Sequence, residues 1–227
     1  MDAFSYYREL DAKLESVSIE ANAIPMKKYM KNHFEFYGIK SPVRKKVIAE
    51  FRKENGLLAA EELEEFVHLC WDNPYREIHY ACMELVSKEK QPEPARLELY
   101  KWMVLHRSWW DTVDFIAPTL MGRLFYQNPS FIIDETEQFI KSHELWLQRS
   151  ALIFQLKYKT ETDLNLLFYY CERLAEHPNF FIRKAIGWSL RQAGKFYPEE
   201  VRDFVGNHQL SNLSVREALK RLGGGGV

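Results

Sequence analysis

The sequence predicts an all-α chain of stacked helix hairpins, a helical-repeat solenoid. Three observations predict it. Glycine is scarce before the run Gly223–Gly226, and proline occurs singly, at positions suited to helix starts. No alternating apolar pattern is long enough for a strand. Six helix starts also look alike: Pro42-Val43-Arg44, Pro74-Tyr75-Arg76, Trp109-Trp110-Asp111, Trp146-Leu147-Gln148, Phe181-Ile182-Arg183 and Ser214-Val215-Arg216. Their last residues are 32, 35, 37, 35 and 33 apart, the period of helix-pair repeats. A lone hairpin cannot bury its apolar face, so neighbours stack, and equivalent helices line one concave groove.

The elements follow in order. Residues 2–17 carry Phe4, Tyr7, Leu10, Leu14 and Val17 on one helical stripe. Residues 25–36 form a second helix, with Pro25 in its first turn and Gly38 closing it. Ser41-Pro42 caps a third, to about Arg52. Ala60–Trp71 is a helix, and Asn73-Pro74 opens another, Tyr75–Lys88. After a loop at Pro92 and Pro94 comes Ala95–His106. Ser108, in a capping box with Asp111, starts a helix to about Phe125, which Pro118 must kink or break. Two pairs follow, 129–142 with 145–158 and 162–176 with 179–195. Residues 198–207 and 214–222 complete the fold, the last starting on a Ser214–Glu217 capping box. We expect one domain over 1–222 and a flexible Gly-rich tail over 223–227.

Composition narrows the class. There is no signal peptide and no long apolar run, which predicts a soluble, intracellular protein. Cys70, Cys82 and Cys171 are an odd, scattered set without a CxxC pair, so they read as reduced core thiols. The seven histidines show no metal spacing. No Ser/His/Asp or Cys/His arrangement can be picked out. Net charge is −1, but its distribution is uneven. Lys27, Lys28, Lys31, Lys40, Arg44, Lys45, Lys46, Arg52 and Lys53 face only Glu35 and Glu50 within 26–53, and an acidic stretch follows. A near-neutral total can therefore hide a phosphate-binding face.

Along the predicted groove the equivalent positions are mostly basic, which suits a polyanion. The middle repeat departs from this in Ser108-Trp109-Trp110-Asp111-Thr112-Val113-Asp114. Trp110 and Asp114 are i and i+4, on one helix face. An indole beside an anion repels phosphate and attracts a flat cation. Each residue also has a plainer reading. Trp110 could be a core aromatic, and Asp111 suits the helix start. Asp114 lies past the first turn, so capping does not explain it; the alternative is a solvated acid or a partner to a base. Trp188, after Gly187, could be packing alone, and Arg149 a surface charge. Tyr29 suits groove or core. Arg183, Lys184, Arg191 and Lys195 form a basic stripe whose plain role is solubility.

Four separated segments carry a resemblance. They are Tyr29–Phe34, Ser108–Asp114, Trp146–Arg149 with Phe154–Lys159, and Lys184–Trp188. In the same order, over about Met26–Leu222, they resemble the AlkD family, bacterial DNA alkylation-repair glycosylases built from HEAT-like repeats. The resemblance implies a monofunctional DNA glycosylase that excises N3- and N7-alkylated purines, chiefly cationic ones such as 7-methylguanine and 3-methyladenine. It implies no metal or cofactor, engagement of the lesion without a base-flipping pocket, and double-stranded DNA containing alkylated purines as partner. A cytoplasmic, nucleoid-associated monomer with no membrane attachment is the matching expectation. Site residues carry over as catalytic Asp114, groove tryptophans Trp110 and Trp188, DNA-contacting Arg149 and groove tyrosine Tyr29. Arg44, Lys45, Arg183, Lys184 and Arg191 are the further DNA-binding candidates from the basic helix faces. Two competitors remain. A non-catalytic DNA-structure binder on the same scaffold would bind DNA salt-dependently and release no base. A protein-binding solenoid would have no DNA affinity at modest salt.

Overall fold

A computed structural model describes residues 1–220 of the chain. The expected Gly-rich tail at 223–227 and the end of the last expected helix lie outside the described residues. Their regular structure is helical, with no strand; one isolated bridge joins Glu35 and Tyr75. The all-helical expectation therefore holds. No helix among them is long and apolar enough to cross a membrane. The chain forms two compact units, Met1–Pro92 and the remainder from Glu93.

The first unit comprises α1 (Ala3–Glu15), α2 (Glu20–Tyr29), α3 (Ser41–Asn55), α4 (Leu63–Asp72) and α5 (Arg76–Val86). The helix α1 buries Ala3, Tyr6, Leu10 and Leu14, whereas Phe4 is 55% exposed; the buried stripe is rotated from the expected one. Tyr6 packs edge-on against Phe51 and Phe66 at 4.6 and 5.2 Å. The largest departure from expectation is at residues 25–36. The helix starts earlier, holds Pro25 in its interior and stops at Tyr29, where Lys31 and Asn32 adopt left-handed φ of 56° and 59°. The following segment is captured by the next hairpin instead. The Glu77 carboxylate accepts the backbone N–H groups of Tyr37, Gly38 and Ile39 at 3.1, 2.9 and 3.0 Å. Gly38 does not close the helix but lies against it. Its φ is +81°, and a Cβ there would lie 2.1 Å from the Ile19 carbonyl oxygen, so only glycine fits.

The second unit begins with α6 (Arg96–Leu105), α7 (Trp110–Phe115), α8 (Gly122–Gln127), α9 (Ile132–Lys141) and α10 (Leu145–Ile153). It continues with α11 (Leu164–Arg173), α12 (Phe180–Ala193), α13 (Pro198–Asn207) and α14 (Asn212–Leu219). Pro118 neither kinks nor breaks the focal helix outright. A π-helical stretch, Ile116–Met121, joins α7 to α8. Proline has no N–H and its ring would crowd the carbonyl four residues back, that of Asp114; the wider turn relieves both problems. Both expected capping boxes are displaced. Trp109 is the N-cap of α7, while the Ser108 hydroxyl donates back to the Val104 carbonyl at 2.6 Å. Ser211 caps α14 by accepting from the Ser214 N–H, and the Ser214 hydroxyl donates to the Arg183 carbonyl at 3.0 Å. The three cysteines are buried free thiols.

Candidate active site

The helix α10 packs against both α7 and α12, and one side chain of α10 ties the three together. Arg149 is buried, and its guanidinium meets Asp114 of α7 as a two-pronged fork. Nε donates to Oδ1 at 2.8 Å and Nη2 to Oδ2 at 2.9 Å. Nη1 donates to the backbone carbonyl of Phe181, in the first turn of α12. Paired forks of this kind fix orientation as well as charge. Three of the five guanidinium donors are thus engaged within the protein.

The Asp114 side chain is 18% exposed against 5% for Arg149, so the carboxylate, not the cation, is the member open to a ligand. Burial pushes the Asp114 carboxyl above its ordinary value. Its bonds and attraction to Arg149 pull the other way, and nearby Asp111 adds to the rise. The geometry is therefore that of a desolvated carboxylate held in one orientation.

Indoles flank this pair. The Arg149 guanidinium carbon lies 6.0 Å from the ring centroid of Trp188 on α12. Trp110 opens α7 one turn before Asp114, on the same face. Both indoles are partly exposed. Behind the helix starts lies a second aromatic group that sequence reasoning did not single out. Trp109 meets Trp146 at 5.9 Å and Phe181 at 5.3 Å, and Trp146 meets Phe181 at 5.1 Å. These three open successive aligned motifs of the sequence, which is the signal that could have found them. They brace the starts of α7, α10 and α12 against one another.

The other expected site residues are placed differently. Arg183 donates through Nε to the His177 carbonyl at 3.0 Å. Lys184 and Arg191 both pair with Glu217, at 3.1 and 2.6 Å. In the first unit Arg44 pairs with Glu84 at 3.1 Å and lies over the Tyr80 ring, while Lys45 and Tyr29 are exposed. Of the expected site residues in the second unit, Asp114, Arg149 and Trp188 are linked by these contacts, and Trp110 shares the α7 face of Asp114.

Helical hairpins carrying a forked carboxylate with partly exposed indoles define a protein with a carboxylate-bearing, aromatic candidate site on a helical-repeat scaffold. A family model described as DNA alkylation repair enzyme matches residues 10–222, and the chain belongs to that family. A solved structure described as a predicted DNA alkylation repair enzyme from Enterococcus faecalis is similar at 29% identity. The match has a TM-score of 0.84 and covers 91% of this chain and 97% of that one. No curated protein matches the chain. Family membership assigns a DNA repair role, with DNA as partner.

Proposed function

We propose that this chain is a monofunctional DNA glycosylase, active as a monomer, that hydrolyses the N-glycosidic bond of cationic N3- and N7-alkylated purines in duplex DNA. The observation that carries the reading is Asp114: a partly open carboxylate, desolvated and clamped by Arg149, beside two partly exposed indoles. An N7-alkylpurine is already positive and leaves without a general acid. As the bond to C1′ breaks, positive charge moves onto the deoxyribose. A fixed carboxylate stabilises that charge and orients the attacking water. At about 4 Å and an effective dielectric near 20, a lone carboxylate contributes roughly 4 kcal/mol, on the order of a thousandfold in rate. Arg149 reduces this, because a neutral pair acts as a dipole with its negative end toward the substrate. Trp110 and Trp188 offer electron-rich faces to the same developing charge.

Sequence-independent attraction would come from cations outside the ion pairs, Lys45 among them, with Tyr29 as an aromatic contact. In this reading Arg149 acts through Asp114, whose carboxylate it holds in place. The decisive test is Asp114→Asn assayed on duplex DNA containing 7-methylguanine, with released base read by chromatography. Base release should fall by up to about a thousandfold while duplex binding persists. Release at the wild-type rate would sink the mechanism. Binding without release by the unmodified chain would favour a non-catalytic DNA-structure binder.

A further inference from the structure

Glu217 is a buried acid with no place in the reading above. Its residue is 8% exposed, and it sits on α14 facing α12. Oε1 pairs with Lys184 at 3.1 Å and Oε2 with Arg191 at 2.6 Å. Arg191 Nη1 also donates to the Glu217 backbone carbonyl at 3.0 Å. Between those two cations along α12 comes Gly187, where a Cβ would lie 2.5 Å from the Glu217 Cβ and 2.7 Å from the Ser214 carbonyl oxygen. The two helices therefore touch almost backbone to backbone, and glycine is what permits the approach. Residues 184, 187, 188 and 191 share one helical stripe. Trp188 consequently leaves α12 from between the two cations that Glu217 holds.

We infer that Glu217 is a positioning residue for the site: by clamping Lys184 and Arg191 against α14 it fixes the turn of α12 that presents Trp188, and it withholds those two charges from a polyanion. The inference rests on the glycosylase reading for its effect on rate, but not for its effects on charge and on Trp188. It separates two properties that a merely structural residue would move together. Loss of the carboxylate loosens Trp188 and slows base release, yet exposes two unpaired cations and strengthens DNA binding.

The test uses the full chain with Glu217→Gln, which keeps shape and removes charge. Binding to an undamaged duplex is followed by fluorescence anisotropy across a salt series. Two freed cations should steepen the slope of log affinity against log salt by about 2 and tighten binding several-fold at low salt. The single-turnover rate of 7-methylguanine release at saturating enzyme should fall about tenfold. Acrylamide quenching of tryptophan emission should rise, and the rise should vanish when Trp188→Phe is added. Glu217→Asp keeps the charge but shortens the reach. It should leave the salt slope at the wild-type value while still raising quenching, which separates clamp from charge even if Glu217→Gln is poorly folded. An unchanged slope, or quenching that does not depend on Trp188, overturns the inference. If the unmodified chain releases no base, the glycosylase reading fails on its own, and elution from heparin together with quenching still decides the role of Glu217. Later elution of Glu217→Gln supports it, and co-elution with the unmodified chain overturns it.

Discussion

Arg149 and Glu217 occupy the same place in their repeats, one residue after Gln148 and Arg216 in the aligned helix starts. Each reaches back to the preceding repeat: Arg149 to Asp114, Glu217 to Lys184 and Arg191. The electrostatic results are opposite. Asp114 has one cation, is strongly desolvated and lies near Asp111, and its carboxyl is raised. Glu217 has two cations, and their bonds hold its carboxyl down at about 2. Contacts from one staple position thus leave two kinds of acid, one held by the staple residue and one that is the staple residue. Glu217 is satisfied by its two cations. Asp114 keeps an unfavourable charge that a cation arriving at its open edge can relieve. That residual demand is what suits a carboxylate to stabilise positive charge in a transition state.

The sharpest way to break the comparison is Arg149→Ala. It leaves Asp114 buried without its partner and removes the tie to α12. Breaking a buried pair costs about 3–5 kcal/mol, so the melting temperature should drop by more than for any other variant proposed here. In the surviving fold the Asp114 carboxyl loses the group that opposes burial, so its titration moves further upward. The acidic limb of the rate–pH profile should shift to higher pH. A profile that stays in place would mean Arg149 does not govern Asp114. The second-largest effect is expected at Gly187→Ala. The added methyl lands 2.5 Å from the Glu217 Cβ and 2.7 Å from a backbone oxygen. Overpacking of that kind costs about 1–3 kcal/mol, read as a lower denaturation midpoint with an unchanged slope.

The staple position itself was half legible in the sequence. Recurrent helix starts at a 32–37 residue period are visible without a structure, and so is the pairing of Trp110 with Asp114 one turn apart. Partner choice was not visible, because it depends on contacts between repeats. Glu77, at the same staple position, takes three backbone N–H groups from 37–39. That capture is why a segment with helical periodicity leaves the helix at Tyr29. Lys184 and Arg191 read as a free basic stripe until Glu217 is seen between them. Pro118 was legible as a disturbance, but the π turn that absorbs it depends on packing: Gly122, just beyond it, lies against the Phe154 carbonyl.

Acid titration sharpens the same contrast with smaller effects of opposite sign. Glu217 has a folded value of about 2, below its ordinary 4.5. Its stabilisation is present above about pH 4.5 and is lost as pH falls toward 2. Asp114 is raised, so its contribution is most favourable below its ordinary value of 3.8 and is lost as pH rises through the folded value. Glu217→Gln should therefore lower the melting temperature at neutral pH and flatten its fall in acid. Asp114→Asn removes the charge that burial disfavours but leaves the buried Arg149 without its anion, so it should melt lower than the unmodified chain at neutral pH, by less than Arg149→Ala. A loss of stability in Asp114→Asn as large as that of Arg149→Ala would show that the carboxylate serves its ion pair first, as Glu217 does, and the contrast would collapse.

The smallest expected effect tests whether the Glu217 clamp depends on where α14 begins. Ser211 caps that helix through the Ser214 N–H at 3.1 Å, and the two hydroxyls lie 2.8 Å apart. Ser214 in turn donates to the Arg183 carbonyl on α12. Ser211→Ala removes one cap acceptor, worth about 1 kcal/mol, and should lower the melting temperature slightly. Because Ser214 and Glu217 still hold α14 on α12, Trp188 quenching and the salt slope of DNA binding should stay at wild-type values. If either moved, the register of α14 would be set by its cap rather than by the clamp, and Glu217 would follow the helix start instead of fixing it.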